Sequence, residues 1–149
     1  MRKADVIVLT GVLLSSAAIA APRTPSSSDV TISNAWFRAL PAKLPAAGYF
    51  DLRNDGKITA HLTGAASPAC GMLMLHKSSE KGGMSSMEDV QSIDVAPGAT
   101  VKFAPGGYHL MCMEPTAAMK PGASVAVTLK FSDGSVATAK FAVKNTAGK

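Results

Sequence analysis

The chain has 149 residues, 47% of them hydrophobic and 17% charged, with a formal net charge of +5. That length holds one domain and excludes an enzyme with separate cofactor and substrate lobes, while the apolar fraction excludes global disorder. Two cysteines are too few for a disulfide-dense mini-protein or for the four thiolates of a structural zinc site.

Residues 1–20 read as a secretory signal peptide. Arg2 and Lys3 form a positive start, Val6 to Leu14 is an apolar stretch broken only by Thr10 and Gly11, and Ala18-Ile19-Ala20 fits cleavage before Ala21. The stretch is shorter than the roughly 20 apolar residues a bilayer span requires. Cleavage removes Arg2, Lys3 and Asp5 and leaves a charge of +4. The lysines are spread along the chain without aromatic interleaving, so no nucleic-acid surface is expected. Residues 21–29, rich in Pro, Ser and Thr, read as a flexible leader, and 145–149 as a short tail.

Between them, residues 30–144 alternate short apolar segments with turn signals. Strand candidates are Val30 to Phe37, Tyr49 to Leu52, Ala60 to Leu62, Met72 to His76, Val90 to Val95, Thr100 to Phe103 and Tyr108 to Met113. Val125 to Phe131 and Val136 to Val143 flank Ser132-Asp133-Gly134-Ser135, and an Asp-Gly pair between β-rich runs predicts a hairpin. Gly82-Gly83 reads as a loop. No window sustains a helical period. Eight or nine short strands at this spacing predict an all-β sandwich or Greek-key barrel in a single domain.

The chemistry concentrates in one segment. Seven of the eight methionines lie between Met72 and Met119, together with two of the three histidines. A single methionine is most simply a core gap-filler; the period-two pattern argues for more. In a strand over Tyr108 to Met113, His109, Met111 and Met113 share one face; in Met72 to His76, Met72, Met74 and His76 share one face with Leu73 and Leu75 opposite. A solvated strand face ordinarily carries Ser, Thr or Lys. Thioether sulfur and imidazole nitrogen are instead soft, neutral donors suited to Cu(I) and poorly suited to Mg²⁺ or Ca²⁺. Thioethers cannot be captured as disulfides, which suits a site outside the cytosol.

His76, ten residues, Met87, twenty-one residues, His109, one residue, Met111 resembles the His-x10-Met-x21-His-x-Met signature of the periplasmic copper chaperones called PCu(A)C. Pro105-Gly106-Gly107-Tyr108-His109-Leu110-Met111 is similar to that family's turn and strand around the second histidine, and the likeness runs from Asn34-Ala35-Trp36 through Ala47-Gly48-Tyr49 to the C-terminal hairpin. The resemblance implies a cupredoxin-like Greek-key β-sandwich, one Cu(I) ion bound by His76, Met87, His109 and Met111, and delivery of copper towards the CuA centre of cytochrome c oxidase. The implied partner is a copper-accepting protein, such as an oxidase subunit or another copper chaperone. The implied location is the periplasm, as a monomer without stable membrane insertion once the signal is removed. Many relatives carry a Met two residues after the first histidine where this chain has Ser78, so the four named residues are expected to be the whole set. The tail Lys144 to Lys149 lacks the His and Met with which some relatives bind Cu(II).

The other candidates have plainer readings. Met84 reads as an exposed loop residue, Met119 as structural and His61 as an ordinary surface histidine. Met72, Met74 and Met113 either wall the copper or simply pack. Cys70 has the parity of His76 if its strand begins that early, and Cys112 lies opposite His109, so on straight strands the thiols diverge. A disulfide requires Cys70 to lie in the preceding loop, which Pro68 and Gly71 permit. No enzyme is expected: there is no Cys-x-x-Cys, and His109 precedes Cys112, the wrong order for a blue-copper loop. Copper buffering and a structural β-module with methionines as packing are the alternative readings.

Overall fold

Alternation is strongest near the C-terminus, and it shows why the chain chooses strands. In β9 (Ser124–Phe131), Val125, Val127, Leu129 and Phe131 are buried, while Ala126 and Lys130 between them are exposed. β10 (Val136–Lys144) pairs with it antiparallel and buries Phe141 and Val143. The loop between them is the expected Ser132–Ser135 turn: Asp133 Oδ1 accepts from the backbone N–H and the hydroxyl of Ser135.

The computed structural model describes residues 29–149. The signal peptide assigned to 1–20 and all but the last residue of the leader assigned to 21–29 lie outside the described residues. The remaining strands are β1 (Val30–Arg38), β2 (Ala46–Asn54), β3 (Ala60–Ala66), β4 (Cys70–Lys81), β5 (Met84–Asp89), β6 (Ile93–Val95), β7 (Thr100–Phe103) and β8 (Tyr108–Pro115). A one-turn 3-10 helix, Pro41–Lys43, joins β1 to β2. The fold is all-β, as the spacing predicts, with ten strands among the described residues where eight or nine were expected. The additional one is β5.

The strands hydrogen-bond into one open sheet in the order β5-β4-β8-β7-β2-β1-β10-β9-β3-β6, with β2 also pairing β8. The sheet curls so that strands distant in this order meet: β3 touches β4, and β2 touches β6. The core between the two halves is aromatic at its centre. Phe50 stacks on Phe103 with ring centroids 4.1 Å apart, and Phe141 contacts both Phe37 and Phe50 at 5.4 Å. Phe37 lies flat over Gly48, its partner across the β1–β2 ladder; a Cβ at Gly48 would sit 2.6 Å from the ring. Glycine there lets an aromatic ring cover the strand just before Tyr49.

Cys70 and Cys112 are joined in a disulfide, with Cα atoms 5.4 Å apart. This corrects the parity expectation. Leu73, not Cys70, is the ladder partner of Cys112. Three positions along a straight strand span about 10 Å, so the pleat does not run straight here. Cys70 is the first residue of β4, and its N–H still closes a turn onto the Ser67 carbonyl. Across the ladder, Glu114 has left-handed backbone, φ 49°. The two strand ends bend together, and Cys70 reaches the core side.

Candidate metal centre

The β4–β8 ladder is the frame of the site. Its register pairs Met72 with Met113, Met74 with Met111 and His76 with His109. Leu73, Leu75, Leu110 and Cys112 are buried on the opposite face. The period-two reading of both strands therefore holds: apolar residues anchor one side in the core, and six soft donors stand in three rows on the other.

β5 brings Met87 to this frame. Gly82 and Gly83, with φ 61° and 78°, form a two-residue turn, and β5 runs back along β4 with Ser78 opposite Met87 and His76 opposite Asp89. Such a turn needs positive φ at both central residues, which glycine supplies without strain. Met87 is thus held on a strand, not on a loose loop. It remains 61% exposed, because every residue of β5 is exposed and the strand has one neighbour. Met84, paired with Lys81, has the opposite parity and faces away from Met87.

The two imidazoles meet edge to face, ring centroids 5.6 Å apart. His109 is only 4% exposed, less open than a solvent-facing site suggests. Its Nδ1 lies 3.2 Å from the Gly107 carbonyl. A carbonyl only accepts, so Nδ1 carries the proton and the neutral ring keeps its lone pair on Nε2. That Nε2 is buried and has no hydrogen-bond partner. Burial pushes the His109 pKa below the ordinary histidine value; the Gly107 hydrogen bond opposes this, and His76 adds a smaller repulsion. His109 is therefore held as a neutral donor.

Both nitrogens of His76 are likewise buried without a hydrogen-bond partner. Asp89 Oδ1 lies 2.8 Å from His76 Nε2, close enough to attract a positive charge but off the direction of a hydrogen bond. Met87, His109 and Met111 line one open cleft of about 440 Å³, with Arg38, Ala47, Tyr49, Ser78 and Glu80 among its other walls. His76, directly across the ladder from His109, is not among the cleft's lining residues. Arg38 donates to the Tyr49 hydroxyl and stacks over its ring.

The structure therefore brings His76, His109 and Met111 together on one ladder and sets Met87 at its margin. Sequence reading does not single out Asp89, Tyr49 or Arg38. Their places follow from strand register, which no local motif reports. His61 is a surface histidine, 2.6 Å from Asp94, and Met119 is buried in the core. Among the described residues, no group of three or more His, Cys, Asp or Glu side chains converges, so an all-oxygen cage is not formed there.

A family model described as "Putative lipoprotein LpqE-like" matches residues 30–143. The chain belongs to that family, which is the PCuAC family. It is 36% identical over 132 residues to "Putative lipoprotein Lxx21020" of Leifsonia xyli, covering 87% of this chain and 79% of the relative. The solution structure of Cu(I)-DR1885 from Deinococcus radiodurans is 31% identical, with a TM-score of 0.59 over 76% of each chain. The copper-bound PCuAC domain of PmoF2 shares the fold at 23% identity, with a TM-score of 0.65 over 78% of this chain and 93% of that domain. These PCuAC domains make the architecture a cupredoxin-like β-sandwich.

Proposed function

We propose that this protein is an exported, periplasmic Cu(I) chaperone. It holds one ion through His76, Met87, His109 and Met111 and passes it to a copper-accepting protein, on the way towards the CuA centre of cytochrome c oxidase. One observation carries the reading: three buried imidazole nitrogens, two on His76 and one on His109, lack hydrogen-bond partners beside the thioethers of Met111 and Met87. A bare buried polar atom costs about 1–3 kcal/mol. A soft cation would satisfy one lone-pair nitrogen on each ring, and neither imidazole nor thioether need lose a proton to bind it. The copper-bound state of DR1885 and PmoF2 supports copper as the cargo. The signal-like N-terminus and the lipoprotein name of the Leifsonia relative support export.

The residues divide the work of holding and releasing. His109 and Met111 lie on an inner strand between β4 and β2 and present their donors without reordering. Met87 lies on an exposed edge strand and is the donor most easily withdrawn. An acceptor's ligand can then take its place, and the ion moves by ligand exchange without changing oxidation state.

Anaerobic Cu(I) titration with X-ray absorption tests this. One equivalent with mixed sulfur and nitrogen scattering is expected. Scattering without nitrogen, or no stoichiometric uptake, refutes the site.

A further inference from the structure

The His/Met site uses only one thioether of the two Met rows of the β4–β8 ladder. Met72 is 59% exposed and Met113 36% exposed, and they face each other across the register. Met74, half-buried, stands in the next row opposite Met111. Packing does not account for Met72 and Met113: a methionine that fills a core gap is covered, and both of these are exposed. Directly opposed side chains have Cβ atoms about 4.5–5.5 Å apart, and same-face rows follow at about 6.8 Å. Three flexible thioethers at those spacings can turn their sulfurs onto one ion.

We propose that Met72, Met74 and Met113 form a second, weaker site for a soft monovalent d¹⁰ cation, Cu(I) or Ag(I), at the outer end of the ladder. The site has sulfur donors alone and no imidazole, so it is occupied after the His/Met site. Its position gives it a use. An ion caught on the exposed Met72–Met113 row is one row from Met74 and Met111, and two rows from His76 and His109. It can advance by exchanging one thioether for the next. That relay rests on the His/Met site proposed above; the sulfur site itself does not.

The test is a titration of the full chain with Ag(I), a redox-inert probe, followed by NMR of methionines labelled at the ε-methyl carbon. The first equivalent is expected to shift Met87 and Met111, and the second to shift Met72, Met74 and Met113. In the double variant Met72→Leu, Met113→Leu the second saturable event is lost and the first is unchanged. Leucine keeps the apolar bulk, and an unaltered amide spectrum shows that the fold persists. If the second equivalent leaves Met72 and Met113 unshifted, or if the double variant still binds it, the sulfur site is overturned. If instead the first equivalent leaves Met87 and Met111 unshifted while the Met72–Met113 row responds, the His/Met assignment fails and the sulfur site stands.

Discussion

Two hairpins of this sheet follow one plan and do opposite things. β9–β10 turns through Ser132–Ser135 and buries Val125, Val127, Leu129, Phe131, Phe141 and Val143. β4–β5 turns through Gly82–Gly83, yet all of β5 is exposed. The first hairpin is held by what it covers. In the second, β4 is anchored through Leu73 and Leu75, and β5 is held only by its ladder and by the contact between the hydroxyls of Ser79 and Ser86, 2.8 Å apart. The apolar packing and the proposed copper donors are therefore expected to be separable by mutation.

The largest effect should come from the covered hairpin. Phe141→Ala removes a ring packed on Phe37 and Phe50 and is expected to lower the unfolding free energy by about 3–5 kcal/mol. Urea denaturation reads this, and the Cu(I) affinity of the molecules that stay folded should not change. An affinity loss alongside the stability loss would mean the two regions are coupled.

Next is His109→Ala, which removes the best-positioned donor. Cu(I) affinity, measured by competition with a chromophoric chelator, is expected to fall at least about 100-fold, about 2.7 kcal/mol. Met87→Ala should cost less, about tenfold or 1.4 kcal/mol, and should change the rate of transfer to an acceptor more than it changes affinity. Its stability should stay within about 0.5 kcal/mol of the parent. Equal affinity losses in the two variants would end the division of labour between inner strand and edge strand.

A smaller effect is expected from acid. The His109 pKa lies below the ordinary value in the fold, so the unfolded chain takes up the proton first. The stability this residue contributes is complete above about pH 6.5 and is lost as pH falls through the lower folded value. Urea unfolding of the metal-free protein between pH 8 and pH 5 measures the slope, and His109→Gln should flatten it. A slope unchanged in that variant would place the sensitivity elsewhere. The smallest effect is expected at Met84, 77% exposed and on the far face of β5. Met84→Ala should alter neither affinity nor stability, and a tenfold affinity loss would mean that the β5 register is wrong.

How much of this was legible follows from what each residue covers. β9, β10, β4 and β8 announce themselves because one face of each must be apolar, and period two then assigns His76, His109 and Met111 to a common side. β5 has no such signature. Met84-Ser85-Ser86-Met87-Glu88-Asp89 buries nothing, so no pattern forms, and the Gly pair before it reads equally as a loop or a hairpin turn. The disulfide is left open by sequence for a different reason. Parity holds only along an unbroken pleat, and the chain bends at Cys70 and Glu114, where a local turn and a left-handed residue interrupt it. Tyr49 and Asp89 join the site from other strands, and their proximity is a property of register.

β1 and β10 lie side by side and run parallel, with Trp36 opposite Ala142, Phe37 opposite Val143 and Arg38 opposite Lys144. The first strand thus finds one of its two neighbours about a hundred residues later in the chain. Contacts so distant in sequence form slowly, because the loop must close before any pairing rewards it. A ribosome-bound chain that has not yet released β10 lacks the strand joining β1 to β9, and its sheet is left in two pieces. Folding is in this sense deferred until the chain is whole.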